Sequence, residues 1–269
     1  MSMDLFSLAD KVAVVTGACG LLGTQHCEAL ADAGARVVVA DLDEEAALRV
    51  ADGLGEGHLA IRLYVTDKES LQAARQRIWA TYGRIDVLVN NAAINDMFEN
   101  PLLAAEQSRF ELYPLEMWDR SWKVNVSGVF LCSQVLGGVM AEQGGGSIIN
   151  IASTYGVVAP DQTIYRDAEG RQTFYKSPAY PVTKSAVIGL TKFLASYWGH
   201  RKVRVNSLSP GGVENGQDVF FRQNYSNKTL LGRMAAPSDY KGAIVFLASE
   251  ASAYMTGANL IVDGGWTAI

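Results

Sequence analysis

Short runs of β-branched and aliphatic residues alternate along this chain with helix-length stretches whose apolar positions recur at helical spacing. The first kind falls at 12–15, 36–40, 59–64, 85–89, 147–151, 203–208 and 260–262; the second falls at 21–33, 44–52, 69–82, 116–141, 179–198 and 238–248. Strands apolar on both faces, each followed by a helix, mark βαβ units, because a parallel sheet hides both faces under helices. The pattern predicts an α/β fold: a doubly wound parallel sheet of the Rossmann type with about seven strands. No linker, repeat or low-complexity tract interrupts it, so 1–269 is expected to form a single domain. Three segments break the rhythm, at 95–115, 159–178 and 211–234. Each follows a strand and should emerge at the carboxyl edge of the sheet, where open α/β sheets bind ligands.

Composition narrows the function classes. With 269 residues, 49% hydrophobic and 19% charged, the chain can bury one sizeable core. A net charge of −5 and a pI near 5.3 argue against nucleic acid as a partner, which calls for a basic stripe. Residues 1–10 lack a basic region followed by an apolar core, so a cytoplasmic location is expected. The uncharged stretch 124–141 carries Asn125, Ser127, Ser133 and Gln134, costly in hydrocarbon, so it reads as a buried helix and no membrane is expected. Cys19, Cys27 and Cys132 lack metal-ligand spacing and read as buried free thiols. His26, His58 and His200 stand far apart, and no metal is expected.

Directly after the first strand comes Thr16-Gly17-Ala18-Cys19-Gly20-Leu21-Leu22-Gly23, which leads into a helix. A glycine-rich turn there lets backbone amides approach a pyrophosphate and sets that anion at the positive end of the helix. Asp41, at the end of the second strand and 18 residues beyond Gly23, can accept hydrogen bonds from the adenosine ribose hydroxyls. Its charge would repel a 2′-phosphate, and no basic residue in the turn or directly after Asp41 offsets that repulsion. NAD is therefore favoured over NADP.

Tyr180 and Lys184 lie four apart on a predicted helix and share one face. Oxidising an alcohol needs a base for the hydroxyl proton, and an ordinary tyrosine titrates near pH ~10, too high to serve without help. An adjacent lysine ammonium would lower that value, and it could also hold the nicotinamide ribose. Ser153, at the end of the preceding strand, could hydrogen-bond the substrate oxygen as its charge changes.

The succession TGACGLLG, VNNAA, KVNVSG, NIAS, YPVTK and SPGG resembles the short-chain dehydrogenase/reductase family over nearly the whole chain. The resemblance implies an enzyme that moves a hydride between nicotinamide and a secondary alcohol or ketone, with the quartet Asn125, Ser153, Tyr180 and Lys184. It implies that Asn125 anchors a water leading from the lysine to solvent, that Asn91 supports the cofactor, and that the Val213 backbone faces the nicotinamide amide. Thr16, Gly17, Gly20, Leu22, Gly23, Asp41 and Val65 complete the implied cofactor site. The final Tyr254-Met-Thr-Gly-Ala and Val262-Asp-Gly-Gly fit the family's last crossover. The chain departs from the family at Leu21, where the middle glycine usually lies, at Ala93, and at Tyr64, where an aspartate often contacts adenine.

Ser153 and Tyr180 are 27 residues apart, longer than usual for the family, and the excess is an insertion within 159–178. Its Arg166, Arg171, Lys176, Tyr165 and Tyr175 could meet a polar or anionic substrate. Equally, its acids Asp161, Asp167 and Glu169 could make it a solvated or subunit-contacting loop. Segment 211–234, with Asn215, Gln217, Arg222, Asn224, Asn227 and Arg233, is also polar. The stretch SPGGVENGQ with QNYSNKTLLGRM is similar to the subgroup associated with flagellin modification and nonulosonic-acid sugars, which implies a sugar or sugar-phosphate alcohol. The alternatives are a reductase of hydroxyacyl, steroid or other small carbonyl compounds, a dinucleotide-sensing protein without turnover, and a nucleotide-sugar epimerase or dehydratase. The last usually carries a further C-terminal domain, for which no room remains. The long apolar helices, with the resemblance, imply a homotetramer, a dimer of dimers.

Overall fold

The computed structural model describes residues 3–95 and 104–269, so segment 95–115 lies partly outside the described residues. Seven parallel strands form one sheet: β1 Val12–Thr16, β2 Arg36–Asp41, β3 Leu59–Arg62, β4 Val87–Asn90, β5 Gly146–Ile151, β6 Val203–Pro210 and β7 Asn259–Val262. Their order is β3-β2-β1-β4-β5-β6-β7. The chain therefore reverses direction across the sheet between β1 and β4, and the crevice above that switch point is where a doubly wound fold receives its ligand.

Alternating side chains divide the core in two. Val12, Val14, Val38, Leu88, Ile148 and Val205 pack on one face with the helices Lys68–Tyr82, Leu115–Gln143 and Ala179–Trp198. Ala13, Val15, Val37, Val39, Val89 and Ile149 face the other side, under Leu21–Asp32, Glu44–Leu54 and Lys241–Ala248. Each such buried aliphatic side chain contributes about 1.5–3 kcal/mol of transfer free energy, which is why these strands read as continuous apolar runs.

The elements differ from the sequence expectation mostly at their ends. β3 stops at Arg62 because the Tyr64 N–H donates to Ser70 Oγ instead of extending the ladder. β4 starts at Val87 because Gln143 Oε1 accepts from the Ile85 N–H. The expected helix at 238–248 is divided into a 3₁₀ turn at Pro237–Tyr240 and a helix at Lys241–Ala248. Leu115–Gln143 is long and apolar enough to cross a membrane by length and composition, yet 61% of its apolar window is buried inside the protein, as in a core helix. It is wound as π-helix at Lys123–Gly128 and again at Ser133–Gly137, which the sequence pattern did not show. Cys27 and Cys132 are buried as expected, whereas Cys19, in the glycine-rich turn, is only half-buried.

His26 is wholly buried on Leu21–Asp32, and among the described residues neither ring nitrogen has a hydrogen-bond partner. Burial alone pulls its pKa down to about 4. The unfolded chain takes up this proton near pH ~6.5 and the folded chain only near 4, so between them the unfolded state binds more protons and stability falls as pH drops, by about 3 kcal/mol in all. A His26→Leu variant is expected to lose this component. Thermal unfolding of both proteins from pH 7 to 4 should show the wild type falling more steeply, and parallel curves would contradict the assignment.

Candidate active site

The turn after β1 is fixed by side chains from the turn after β4. Thr16, buried, accepts at Oγ1 from the Asn91 and Ala92 N–H groups, at 3.1 Å each. Asn91 Nδ2 donates back to the carbonyls of Thr16 (3.0 Å) and Gly17 (2.9 Å). Asn91 thus clamps the glycine turn. Gly17 sits at φ +60°, and a Cβ there would lie 2.7 Å from Ala92 Cα; a Cβ on Gly23 would lie 2.3 Å from the Gly17 carbonyl oxygen. Only glycine lets these backbones approach so closely. Gly20 caps Leu21–Asp32 with no side-chain hydrogen bond, leaving the start of the helix to another acceptor.

Asp41 ends β2 beside this turn. Its carboxylate accepts from the Cys19 N–H at 2.9 Å and, more weakly, from the Asp43 N–H at 3.4 Å. Val65 packs against the core under the sheet.

A cavity of about 850 Å³ opens along the carboxyl ends of the strands, and Leu22, Asn91, Ser153, Tyr180, Lys184 and Val213 all line it. The expected residues from distant parts of the chain thus meet at one place. Thr16, Gly17, Gly20, Gly23, Asp41 and Val65 stand outside its wall, toward the glycine turn and the β2–β3 edge. Lys184 is buried, and its Nζ donates to the Ile151 carbonyl at 2.7 Å. Burial pulls its pKa down to about 8. Ser153 Oγ accepts from the Tyr155 N–H at 3.1 Å and shares a hydrogen bond with Tyr180.

The tyrosine itself departs from the sequence expectation. Lys184 Nζ lies 5.7 Å from the Tyr180 ring centroid and is turned to the Ile151 carbonyl. Burial pushes the Tyr180 phenol up, and the Ser153 hydrogen bond pulls it back. Asn125 lies behind the cavity in the π-wound stretch: Oδ1 accepts from the Ile94 N–H (2.8 Å), and Nδ2 donates to the Ile94 carbonyl (3.0 Å) and Thr183 Oγ1 (3.2 Å). A π-turn at a functional position is a recurrent association.

The insertion forms part of the cavity wall rather than a detached loop. Its 3₁₀ turn Gln162–Tyr165 and an antiparallel bridge between Arg166 and Gln172 fold it back on itself. Arg166 and Lys176 reach the cavity, whereas Arg171 pairs with Asp167 and Glu169. The wall is also more aromatic than its composition suggested: Tyr165 packs on Phe174 and Phe221, and Tyr225 stacks on Trp266 at 4.3 Å. In 211–234, Arg222 pairs with Glu214 and Arg233 with Asp239, leaving Asn215 and Gln217 to face the cavity. A helix, Val219–Ser226, stands where a loop was expected; Asp218 caps it by accepting from the Phe220 and Phe221 N–H groups, and an aspartate at that place is a helix-start signal the sequence carries. Gln162 and Asn95, which sequence reasoning passed over, hold the Lys176 backbone and ammonium respectively.

These residues fit a dinucleotide. An uncapped helix start behind a glycine turn suits a diphosphate, a carboxylate beside it suits ribose hydroxyls, and the cavity leads from there to a phenol, a hydroxyl and an ammonium. Among the described residues there is no group of three or more His, Cys, Asp or Glu side chains placed to hold a metal.

A family profile described as enoyl-(acyl carrier protein) reductase matches residues 17–267. The chain is 38% identical to D-threitol dehydrogenase of Mycolicibacterium smegmatis, over 99% of this chain and 97% of the relative. It is 33% identical to an NAD-dependent glycerol dehydrogenase of Listeria innocua, over 97% and 96%. Among solved structures it is similar to a short-chain type dehydrogenase/reductase from Mycobacterium marinum (TM-score 0.85, 34% identity, all of both chains). It is also similar to a gluconate 5-dehydrogenase from Burkholderia cenocepacia in complex with NADP and tartrate (TM-score 0.86, 30% identity, 99% and 98%).

Proposed function

Because this chain belongs to the short-chain dehydrogenase/reductase family, we propose that it is an NAD(H)-dependent dehydrogenase acting on a secondary alcohol of a small polyol or sugar-like substrate. One observation carries the reading: Ser153, Tyr180 and Lys184 converge on a single cavity whose wall combines Asn215, Gln217, Arg166 and Lys176 with aromatic rings. Such a wall suits a ligand with hydroxyls on one side and C–H groups on the other. Relatives named for threitol and glycerol, and a neighbour named for gluconate, support it.

In this reading Tyr180 takes the proton of the substrate hydroxyl and Ser153 donates to the substrate oxygen as it gains carbonyl character. Lys184 holds the nicotinamide ribose and stabilises the phenolate once the site is filled. Asn125 holds Ile94 and Thr183 in place and anchors the water through which the proton leaves. A nicotinamide, when bound, would supply the hydride acceptor for oxidation and the hydride donor for reduction. Leu22, Asn91 and Val213 wall the nicotinamide half, while Thr16, Gly17, Gly20 and Gly23 shape the diphosphate turn, and Asp41 and Val65 the adenosine half.

NAD is proposed on the strength of Asp41. The NADP of the gluconate 5-dehydrogenase is the competing case. Asp41→Ser should lower the ratio of kcat/KM for NAD over NADP by about 10- to 100-fold, since a like-charge contact with a 2′-phosphate costs several kcal/mol. A wild type preferring NADP would overturn the assignment. Threitol, glycerol, galactitol and gluconate, assayed against hydroxyacyl thioesters and steroids, test the substrate class, which fails if only the apolar compounds turn over. The narrower likeness to flagellin-modification and nonulosonic-acid enzymes would place the alcohol on a larger sugar; the relatives' names favour the smaller polyol. We also propose a cytoplasmic homotetramer, supported by the exposed, stacked Phe193 and Tyr197 and by exposed Leu115 and Phe130 on the two long helices.

A further inference from the structure

We propose that Lys176, from the insertion, is a second ammonium that favours ionisation of Tyr180 and so sets the pH at which the proposed dehydrogenation runs. The idea rests on the oxidoreductase reading above and adds to it a positioning residue. Lys176 Nζ lies 4.2 Å from the centre of the Tyr180 ring, nearer than Lys184 Nζ at 5.7 Å. A cation over a phenol ring is held by the ring's quadrupole, and once the phenol loses its proton the same cation faces a full negative charge. The attraction is thus larger for the ionised form, the condition for lowering an acid's pKa.

The position is built into the insertion. Gln162 brackets the Lys176 backbone, accepting from its N–H at 2.8 Å and donating to its carbonyl at 3.3 Å. Gln172 in turn donates to the Gln162 carbonyl at 2.6 Å and to the Phe174 carbonyl at 2.7 Å. Asn95 Oδ1, which also lines the cavity, accepts from the ammonium at 2.5 Å. This network holds a long, flexible side chain over the ring of Tyr180.

Among the described residues, no other group around Tyr180 exerts this effect before a dinucleotide binds. Lys184, on its own helix, is turned to a carbonyl, and Ser153 and Asn125 carry no charge. Tyr155 from the turn after β5, Tyr165 from the insertion and Tyr225 from Val219–Ser226 are all pushed up by burial and stay neutral through the working range. Arg166, Asp167 and Asp218 line the same cavity with charges of both signs.

Two measurements on the whole protein test this. In the first, kcat/KM for polyol oxidation is followed against pH in wild type, Lys176→Met and Lys176→Arg. In the second, tyrosinate absorbance is titrated without substrate, with Tyr180→Phe as the subtracted reference. Lys176→Met should move the Tyr180 ionisation upward by about one pH unit in both, and Lys176→Arg should stay close to wild type. A Lys176→Met titration that overlays the wild type, a change confined to KM, or an Arg variant displaced as far as the Met variant would each overturn the proposal. Should the wild type oxidise no polyol, the proposed function fails, and the absorbance titration alone still decides the role of Lys176.

Discussion

Replacing Tyr180 with phenylalanine is expected to lower kcat/KM for alcohol oxidation by about 10²- to 10⁴-fold, the range general base catalysis supplies. The change removes one oxygen, which shares a hydrogen bond with Ser153. The ring keeps its place near the Lys176 and Lys184 ammoniums, so the fold and the cofactor pocket should be little disturbed. Cofactor binding, followed by quenching of the protein's tryptophan fluorescence, should stay within a few-fold of wild type. This split separates a chemical role from a structural one. A Phe variant that keeps most of its turnover would remove the proton acceptor on which the mechanism depends, and one that also loses cofactor binding would recast Tyr180 as a packing residue.

The second large effect is expected at Gly17. An alanine there must hold φ near +60°, at a cost of about 1–2 kcal/mol, with its methyl 2.7 Å from Ala92 Cα. Relieving that overlap pushes away the turn after β4, which Thr16 and Asn91 tie to the glycine turn through four hydrogen bonds. Overpacking of this kind adds about 1–3 kcal/mol. Gly17→Ala should therefore lower the urea midpoint by the equivalent of at least about 2 kcal/mol and weaken cofactor binding by tenfold or more. Equilibrium unfolding and cofactor titration check both halves, and an Ala variant matching wild type in both would show that the turn has slack the distances do not suggest.

The strands were legible because they are buried on both faces. Val12–Thr16 and Arg36–Asp41 announce themselves as apolar runs whatever their neighbours do. Their ends were less so, since β4 is trimmed by Gln143, a partner 58 positions from Ile85 that no local pattern reveals. That Ser153, Tyr180 and Lys184 would meet could be expected from order and spacing, yet their electrostatics could not: a separation of four puts Tyr180 and Lys184 on one helix face without saying that the ammonium turns to Ile151. The insertion stood out by its length, but that Lys176 and Arg166 reach inward while Arg171 turns back on Asp167 comes from a fold-back the composition does not encode. Likewise, apolar periodicity along 116–141 marked a helix and could not show where its winding changes.

That winding bears on how this enzyme's length can vary. A π-wound stretch carries a residue beyond what an α-helix of equal rise would hold, so Lys123–Gly128 stores one unit of chain. Losing a single residue there would let the stretch tighten into α-helix while the turns on either side keep their relative rotation, so the displacement would fall on the residues inside the stretch. Asn125 would then swing off Ile94 and Thr183 although every neighbouring side chain kept its identity. This part of the helix should accept exchanges of one amino acid for another far more readily than any change in how many there are.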